Sequence, residues 1–245
     1  MIPEPIKEYI DERDKRVKGY QEDVELLSAA RDMLMEMHRV DYVKNFTWMG
    51  QPIIQFPTDL IVMQELIREQ KPDYIVEVGV AFGGMTLFYA EMLEMLGHGK
   101  VIAVDQEVRT HNKTKIYCSK VADRIQIVEG DSASLFTSKE VFSHIPYGAK
   151  VLVSLDSNHT AQHVKMELDL YSTLIQPGGY LIVFDTVIEM VMKEKPADRP
   201  WGPGNNPYQA VGRWLAEHPE WEPDHDLTAR ALITAAPGGW LRRIR

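Results

Sequence analysis

The chain has 245 residues, 44% apolar side chains and a formal net charge of −9. This length and apolar content suit one α/β domain with appendages and a sizeable core. The charge argues against a nucleic-acid partner, because a phosphate backbone needs a basic face and the basic residues here are scattered. No apolar run approaches the length of a membrane span, and residues 1–5 lack signal-peptide features, so we expect a cytoplasmic protein with no membrane partner.

Residues 6–39 form a charged segment with apolar side chains at helical spacing. Five of these side chains would share one face of an amphipathic helix: Val17, Tyr20, Val24, Leu27 and Leu34. We therefore divide the chain into an N-terminal helical arm, residues 1–45, and a main domain, residues 46–245. The pattern fits an arm packed on its own domain and an arm packed on another subunit equally well. A homo-oligomer joined through the arm is the expected assembly.

Five β-branched runs between residues 74 and 185 alternate with helical patterns, and each run ends in an acidic residue. These acids are Glu77, Asp105, Asp131, Asp156 and Asp185. Such alternation indicates an α/β fold with a parallel, doubly wound, Rossmann-like sheet, whose ligands lie outside the carboxyl ends of the strands. Residues 231–234 and 240–244 flank the turn A-A-P-G-G and are predicted to form an antiparallel hairpin that completes the sheet edge.

A glycine loop follows the first of these runs, in the segment D-Y-I-V-E-V-G-V-A-F-G-G-M-T of residues 73–86. Its spacing, G-x-x-x-G-G, differs from the dinucleotide fingerprint G-x-G-x-x-G, and Glu77 would repel a phosphate. The loop suits a cationic ligand without phosphate, such as S-adenosylmethionine, with Asp105 placed for the ribose hydroxyls and Asp131 for the adenine edge. The predicted cofactor site consists of Gln55, Glu77, Gly79, Gly83, Asp105, Asp131 and Ser132.

A second set of oxygen ligands is predicted beside the cofactor. Asp156, Asp185 and Thr186 follow two successive strands and offer the hard oxygen atoms that Mg²⁺ prefers, although two acids capping the next helices would show the same spacing. His159 would lie at this edge and could act as a general base near neutral pH. A lone histidine is more often structural, and His163, one turn further on, is the second choice for the base.

Residues 195–207, K-P-A-D-R-P-W-G-P-G-N-N-P, are too rich in proline, glycine and asparagine for regular structure. A loop of this length in a compact domain is usually functional or disordered. Its polar and aromatic side chains favour a substrate loop that carries Arg199, Trp201, Asn205 and Asn206.

From about Trp48 onward the chain resembles the rhamnosyl O-methyltransferase and cephalosporin hydroxylase family. The resemblance is carried by seven runs in order: W-M-G-Q-P-I-I-Q-F-P-T-D-L, I-V-E-V-G-V-A-F-G-G, I-A-V-D, E-G-D-S, L-D-S-N-H, G-G-Y-L-I-V-F-D-T-V-I and R-P-W-G-P-G-N-N-P. It implies a class I methyltransferase fold with seven strands, S-adenosylmethionine, a divalent metal and, often, oligomers. Members of this family O-methylate sugars or secondary metabolites.

By motif, the metal ligands of the family would correspond to Asp156, Asp185 and Thr186, and the base to His159. Thr186 departs from the acid or asparagine expected after Asp185. The sequence thus predicts an O-methyltransferase that uses S-adenosylmethionine and Mg²⁺ and acts on a hydroxyl of a small-molecule acceptor, a sugar or another natural product. The alternatives are an NAD-dependent oxidoreductase, disfavoured by the glycine spacing, an iron oxygenase, disfavoured by the lack of a His-x-Asp pair, and a non-catalytic partner subunit.

Overall fold

The computed structural model describes residues 3–245, and Met1 and Ile2 of the predicted arm lie outside this range. In the described part the helices are α1 (Glu4–Glu22), α2 (Val24–Arg39), α3 (Pro57–Gln70), α4 (Gly84–Leu96), α5 (Thr110–Tyr117), α6 (Leu135–Ser143), α7 (Ala161–Tyr171), α8 (Ile188–Val191), α9 (Pro207–Glu217) and α10 (His225–Ala231). The strands are β1 (Phe46–Trp48), β2 (Gln51–Ile53), β3 (Tyr74–Val78), β4 (Lys100–Asp105), β5 (Ile125–Glu129), β6 (Val151–Leu155), β7 (Tyr180–Val183), β8 (Trp221–Pro223) and β9 (Trp240–Arg243).

The central sheet has seven strands in the order β5-β4-β3-β6-β7-β9-β8. The first five strands are parallel and the last two are antiparallel, which confirms the predicted α/β class. The chain leaves β3 toward β4 and β5 on one side and returns to β6 and β7 on the other. This reversal between β3 and β6 creates a crevice at the carboxyl edge, where open α/β sheets bind their ligands.

The central strands β3, β6 and β7 are buried on both faces because they are apolar at nearly every position. Along β3, the side chain of Ile75 enters one core and those of Val76 and Val78 enter the opposite core. Trp240 fills the first core and Trp214 the second, and both are fully buried. The two cores fix the position of each strand end, and so of the acidic residues that follow.

The predicted hairpin at the C-terminus is wrong. Residue Ala231 ends α10, and β9 pairs with β7 and β8 instead of with residues 231–234. The segment after α10 is tied to α3, since Thr58 donates its hydroxyl to the Ile233 carbonyl and Asp59 Oδ2 accepts the Ala235 N–H at 2.8 Å. These contacts join residues far apart in the chain, and local alternation does not reveal them.

The arm contains two helices where the sequence predicted one. Asp23 separates them, and its side chain accepts the Leu26 N–H at 3.0 Å as the N-cap of α2. Val17 and Leu34 are buried on the domain, whereas Val24, on the same predicted face, is 77% exposed. The arm therefore packs on its own domain and leaves part of its apolar surface uncovered. Its boundary at residue 45 stays a prediction.

Within residues 3–245, no helix combines the length and the apolar content that crossing a membrane requires.

Candidate active site

A cavity of about 620 Å³ opens at the carboxyl edge of β3, β6 and β7. Its walls come from the glycine loop, the loop after β6, α2 and the loop that precedes α9, and they include Gln55, Gly79, Asp156, His159, Asp185 and Trp201. This volume lies within the range of small-molecule and cofactor sites.

The glycine loop of the cavity wall touches the loop after β6 through its backbone. A Cβ atom on Gly79, which has a φ of 101°, would lie 2.0 Å from the carbonyl oxygen of Asp156. Only glycine permits this approach. The loop is held from the other side, because Val80 donates its N–H to Asp105 Oδ2 at 2.8 Å and Asn112 Nδ2 donates to the Ala81 carbonyl at 2.8 Å.

Two predicted cofactor ligands lie behind this loop. Glu77 is buried and accepts the Thr86 hydroxyl, and burial raises the pKa of its carboxyl group well above the ordinary value. Asp105 accepts backbone N–H groups from Val80 and Glu107 with its two oxygens. The structure thus gives both acids a role in shaping the loop, and direct contact with a ligand stays a prediction.

Three further predicted cofactor residues lie away from the centre of the cavity. Gly83 precedes α4 with a φ of 83°. Asp131 is exposed at the end of β5 and accepts the Ala133 N–H at 3.0 Å. Ser132 is buried and directs its hydroxyl toward α7. The structure therefore spreads the predicted cofactor residues along the edge from β5 to β3.

Gln55 is the predicted cofactor residue whose placement is most informative. Its side chain is buried and lines the cavity, and its Oε1 atom has no hydrogen-bond partner among residues 3–245. A buried acceptor without a partner costs free energy, so native structures nearly always supply one. A donor on a ligand in the cavity, such as an ammonium group, would satisfy Oε1.

Asp156, His159 and Asp185 converge on one side of the cavity. Each offers a ligand atom, and these three atoms lie within 4.8 Å of one another. His159 Nδ1 is 3.2 Å from Asp185 Oδ2, and His159 Nε2 is 3.6 Å from Asp156 Oδ1. The two acids meet because β6 and β7 are neighbours. Asp185 has a left-handed backbone with a φ of 57°, an uncommon conformation that turns the chain directly after β7.

The two carboxylates control the charge of His159. Burial by itself lowers the pKa of His159, but Asp185 and Asp156 outweigh this effect and raise it to about 9. Burial raises the pKa of Asp185 to about 6, against the opposing effect of His159. At neutral pH a protonated His159 and an ionised Asp185 therefore form an ion pair.

The structure does not bring Thr186 to this cluster, contrary to the predicted ligand set. Its side chain is fully buried and its hydroxyl donates to the Pro237 carbonyl at 3.0 Å. The left-handed conformation at Asp185 turns the next side chain into the core, and a sequence pattern does not show such a turn. His159 occupies the third position of the cluster instead.

Two of the four predicted substrate-loop residues line the cavity. The Trp201 ring lies 4.8 Å from the His159 ring, centroid to centroid, at an angle of 54°. The guanidinium carbon of Arg199 lies 5.2 Å from the centroid of the Trp201 ring. Trp201 thus lies between Arg199 of the loop and His159 of the acidic cluster.

Asn205 and Asn206 hold the loop in place. Asn205 Oδ1 accepts the Ala161 N–H at the start of α7 at 3.0 Å, and its Nδ2 donates to the Pro200 carbonyl at 3.0 Å. Asn206 is buried, caps α9 and donates Nδ2 to Glu189. Within the predicted substrate loop these two side chains therefore bind the protein, whereas Arg199 and Trp201 line the cavity.

Sequence reasoning missed the contribution of the arm to the cavity. Four residues of the arm line the cavity: Leu34, Met37 and His38 of α2, and Val43 beyond it. Helical periodicity predicted that Leu34 faces a core but could not show which surface α2 covers.

Comparisons with known proteins identify relatives of the whole domain. The family model described as Rhamnosyl O-methyltransferase/CmcI matches residues 40–244. A protein named rhamnosyl O-methyltransferase from Mycobacterium tuberculosis is 27% identical to this chain over 220 residues, and the match covers 86% of each chain. A protein of the same name from Mycobacterium leprae is 28% identical over 219 residues, and the match covers 86% of this chain and 91% of the relative.

Two groups of solved structures share the fold. A CmcI structure described as containing Mg and SAM has a TM-score of 0.58 at 19% identity, and the match covers 82% of this chain and 78% of that one. An O-methyltransferase from Bacillus cereus in complex with SAH has a TM-score of 0.54 at 15% identity, with 89% and 91% covered.

Proposed function

Because the chain belongs to the Rhamnosyl O-methyltransferase/CmcI family and is an S-adenosylmethionine-dependent O-methyltransferase, we propose that it methylates a hydroxyl of a sugar or another natural product with the help of Mg²⁺. Membership confirms the resemblance that the motifs from Trp48 onward indicated. It also removes the nicotinamide-dependent alternative. The observation that carries the proposal is the convergence of Asp156, His159 and Asp185 beside the glycine loop.

The cavity fits the methyl donor in charge and in hydrogen bonding. S-Adenosylmethionine supplies a transferable methyl group on a positively charged sulfur and also carries an ammonium group. Asp156 and Asp185 give their end of the cavity a negative potential, and Gln55 Oε1 offers an acceptor in the same wall. We propose that Gln55 binds a polar group of the donor and that Asp105 and Asp131 act at its ribose and adenine ends.

The acidic cluster fits a hard divalent cation. Asp156 and Asp185 present carboxylate oxygens to the cavity, and both side chains keep about a third of their surface accessible. Mg²⁺ bound there would act as a Lewis acid that lowers the pKa of an acceptor hydroxyl. We propose Asp156 and Asp185 as the protein ligands. Thr186 is not included, because its hydroxyl is committed to Pro237.

His159 is proposed as the group that takes the acceptor proton. A base must be neutral, and the field of Asp156 and Asp185 keeps His159 protonated until about pH 9. A cation held by Asp156 and Asp185 would neutralise that field and would lower the pKa of the imidazole toward its ordinary value, so that His159 could accept a proton near neutral pH. The two carboxylates would thus couple metal binding to the protonation state of His159.

The acceptor is proposed to lie between Trp201 and the wall formed by α2. The Trp201 ring gives a flat apolar face next to His159, which suits the apolar side of a sugar ring. Apolar residues of α2 and α8, Leu34 and Ile188 among them, continue that surface. Residues 195–207 are therefore proposed as the substrate loop.

Two measurements test the proposal. Calorimetry should show binding of S-adenosylhomocysteine and no appreciable binding of NAD. Methyl transfer to a panel of rhamnosides, other glycosides and non-sugar alcohols should require a divalent cation and should favour a sugar or natural-product hydroxyl. Full turnover in excess EDTA would contradict the metal, and transfer to nitrogen or carbon acceptors alone would contradict the reaction.

We also propose that the chain forms a homo-oligomer through the arm. Val24, Met33 and Val40 are more than half exposed on α2 and directly after it. Covering these side chains in a second copy would remove apolar surface from water. Light scattering of the purified chain should give a multiple of the monomer mass, and a monomer that keeps full activity would contradict this assembly.

A further inference from the structure

The carboxylate of Glu167 lies at the centre of a buried polar network next to the active site. Glu167 stands on α7 and its side chain is fully buried. Its Oε1 atom accepts the hydroxyls of Ser132 and Ser157, both at 2.5 Å, and lies 3.1 Å from His163 Nε2. One oxygen thus collects three donors.

The two serines belong to loops that the sheet keeps apart. Ser132 follows Asp131 after β5, and Ser157 follows Asp156 after β6. In the sheet β5 and β6 are separated by β4 and β3, so backbone pairing between strands does not join their loops directly. Glu167 on α7 bridges the two loops by accepting a hydrogen bond from a serine of each.

His163 supports this arrangement from the same helix. It lies one turn before Glu167, and its Nε2 atom is also 3.1 Å from the Ser132 hydroxyl. The hydrogen bond to Glu167 raises the pKa of His163, against the opposite effect of burial. Burying a carboxylate costs folding free energy unless its partners are well placed. Replacing a buried ion pair, such as His163 with Glu167, by apolar residues is often neutral for stability. Stability alone therefore gives no reason for Glu167 at this position.

We propose that Glu167 is a positioning residue that holds the loop after β5 and the loop after β6 in one fixed arrangement. The inference rests on the proposed function, in which the first loop meets the adenine end of the methyl donor and the second carries Asp156. Ser157 itself lines the cavity. One carboxylate thereby sets the distance between the donor and the acidic cluster. Glu167 touches no reacting atom in this role.

Binding measurements on four variants test the role. Glu167→Ala should weaken binding of both S-adenosylhomocysteine and Mn²⁺ by roughly tenfold, the usual effect of losing a hydrogen bond to a charged group. Ser132→Ala should weaken only S-adenosylhomocysteine binding, and Ser157→Ala only Mn²⁺ binding. Glu167→Gln keeps an acceptor oxygen for the serines and should restore both affinities to within about threefold of wild type.

Ser138→Ala is the matched control. Ser138 is also buried, but its hydroxyl donates to the Leu135 carbonyl of its own helix, so both affinities should stay unchanged. Calorimetry gives the two dissociation constants, and a thermal melt shows that each variant is folded. If Glu167→Ala does not fold, the serine variants decide.

Three outcomes would overturn the inference. Glu167→Ala could lower the melting temperature and leave both affinities unchanged, which is the mark of a purely structural residue. Glu167→Gln could bind as weakly as Glu167→Ala, which would assign the effect to charge and not to positioning. Both serine variants could bind like wild type. A wild type that binds neither ligand would overturn the proposed function as well, whereas these three results leave that function intact.

Discussion

Asp156 and Asp185 are the residues on which the metal proposal depends, and each can be tested alone. Asp156→Ala or Asp185→Ala should abolish methyl transfer. Each variant loses one of the two carboxylates that lie beside His159 and line the cavity. Affinity for S-adenosylhomocysteine should stay within a few fold of wild type by calorimetry. Wild-type turnover by either variant would remove the metal from the mechanism.

Thr186→Val is the matched control for these two variants. It keeps the shape of the side chain but leaves the Pro237 carbonyl without its donor, at a cost of about 1 kcal/mol in the free energy of unfolding. Metal affinity should not change. A loss of metal affinity in Thr186→Val would show that the hydroxyl contributes to the site after all.

His159 carries the proposed proton transfer. His159→Ala should lower kcat by about 10²–10⁴-fold, the usual share of acid–base catalysis, with little change in affinity for the methyl donor. The loss should shrink as pH rises, since hydroxide can then take the acceptor proton. Measuring kcat against pH for both proteins decides this, and a variant within about threefold of wild type across the range excludes His159 as the base.

Asp59 links the stability of the fold to pH. Burial raises the pKa of its carboxyl group from 3.8 to about 7, although the Ala235 N–H opposes this. Between pH 3.8 and about pH 7 the Asp59 carboxyl is protonated in the folded chain and ionised in the unfolded chain. The free energy of unfolding therefore falls as the pH rises from about 4 to 7. Asp59→Asn should match wild type near pH 4 and be more stable above pH 7.

Above pH 7 the free energies of unfolding of Asp59→Asn and wild type should differ by a few kcal/mol. Each unit between the pKa of Asp59 in the folded chain and in the unfolded chain contributes on the order of 1.4 kcal/mol. Urea unfolding of both proteins at pH 4, 5, 6, 7 and 8 measures it. Parallel curves for the two proteins over this range would show that Asp59 does not titrate as its burial implies.

Among the elements, the substrate loop is held by contacts that can be removed one at a time. Asn205→Ala removes the bond to Ala161, which ties the proposed substrate loop to α7, and the bond to Pro200 within the loop. The acceptor KM should rise, because Trp201 loses its fixed position. Affinity for S-adenosylhomocysteine should not change. Tyr208→Ala, an exposed position in α9, serves as the control and should leave both values as in wild type.

The elements also show why part of the structure was predictable from sequence. The parallel strands are β-branched and buried on both faces, so composition alone marks them, and an acid at each end places the site at one edge. The break at Asp23 has a local signal, an N-cap aspartate followed by Glu25, that periodicity over a longer window obscured. The path of residues 231–235 had no local signal, because Thr58 and Asp59 determine it.

The same limit applies within the site. Asp156, His159 and Asp185 could be found because each follows a recognisable strand end. The position of Thr186 depends on one left-handed residue, and the contribution of α2 to the cavity depends on packing between distant segments.

At the scale of the whole molecule, ligand binding should appear as increased stability. S-Adenosylhomocysteine at 100 times its dissociation constant should stabilise the fold by about 2.7 kcal/mol, because only the folded chain forms the cavity. For a domain of this size the melting temperature should rise by roughly 5–10 °C. Thermal melts with and without the ligand measure the shift, and NAD at equal concentration should give none. An unchanged melting temperature would contradict donor binding in this cavity.

The walls of the cavity come from segments that lie far apart in the chain. The glycine loop and the strand ends belong to the sheet region, whereas the lining residues from Leu34 to Val43 belong to the arm. We therefore expect an exchange within the arm to change the acceptor while the acidic cluster at the sheet edge stays as it is. Grafting residues 30–45 between relatives should therefore transfer acceptor preference together with that segment.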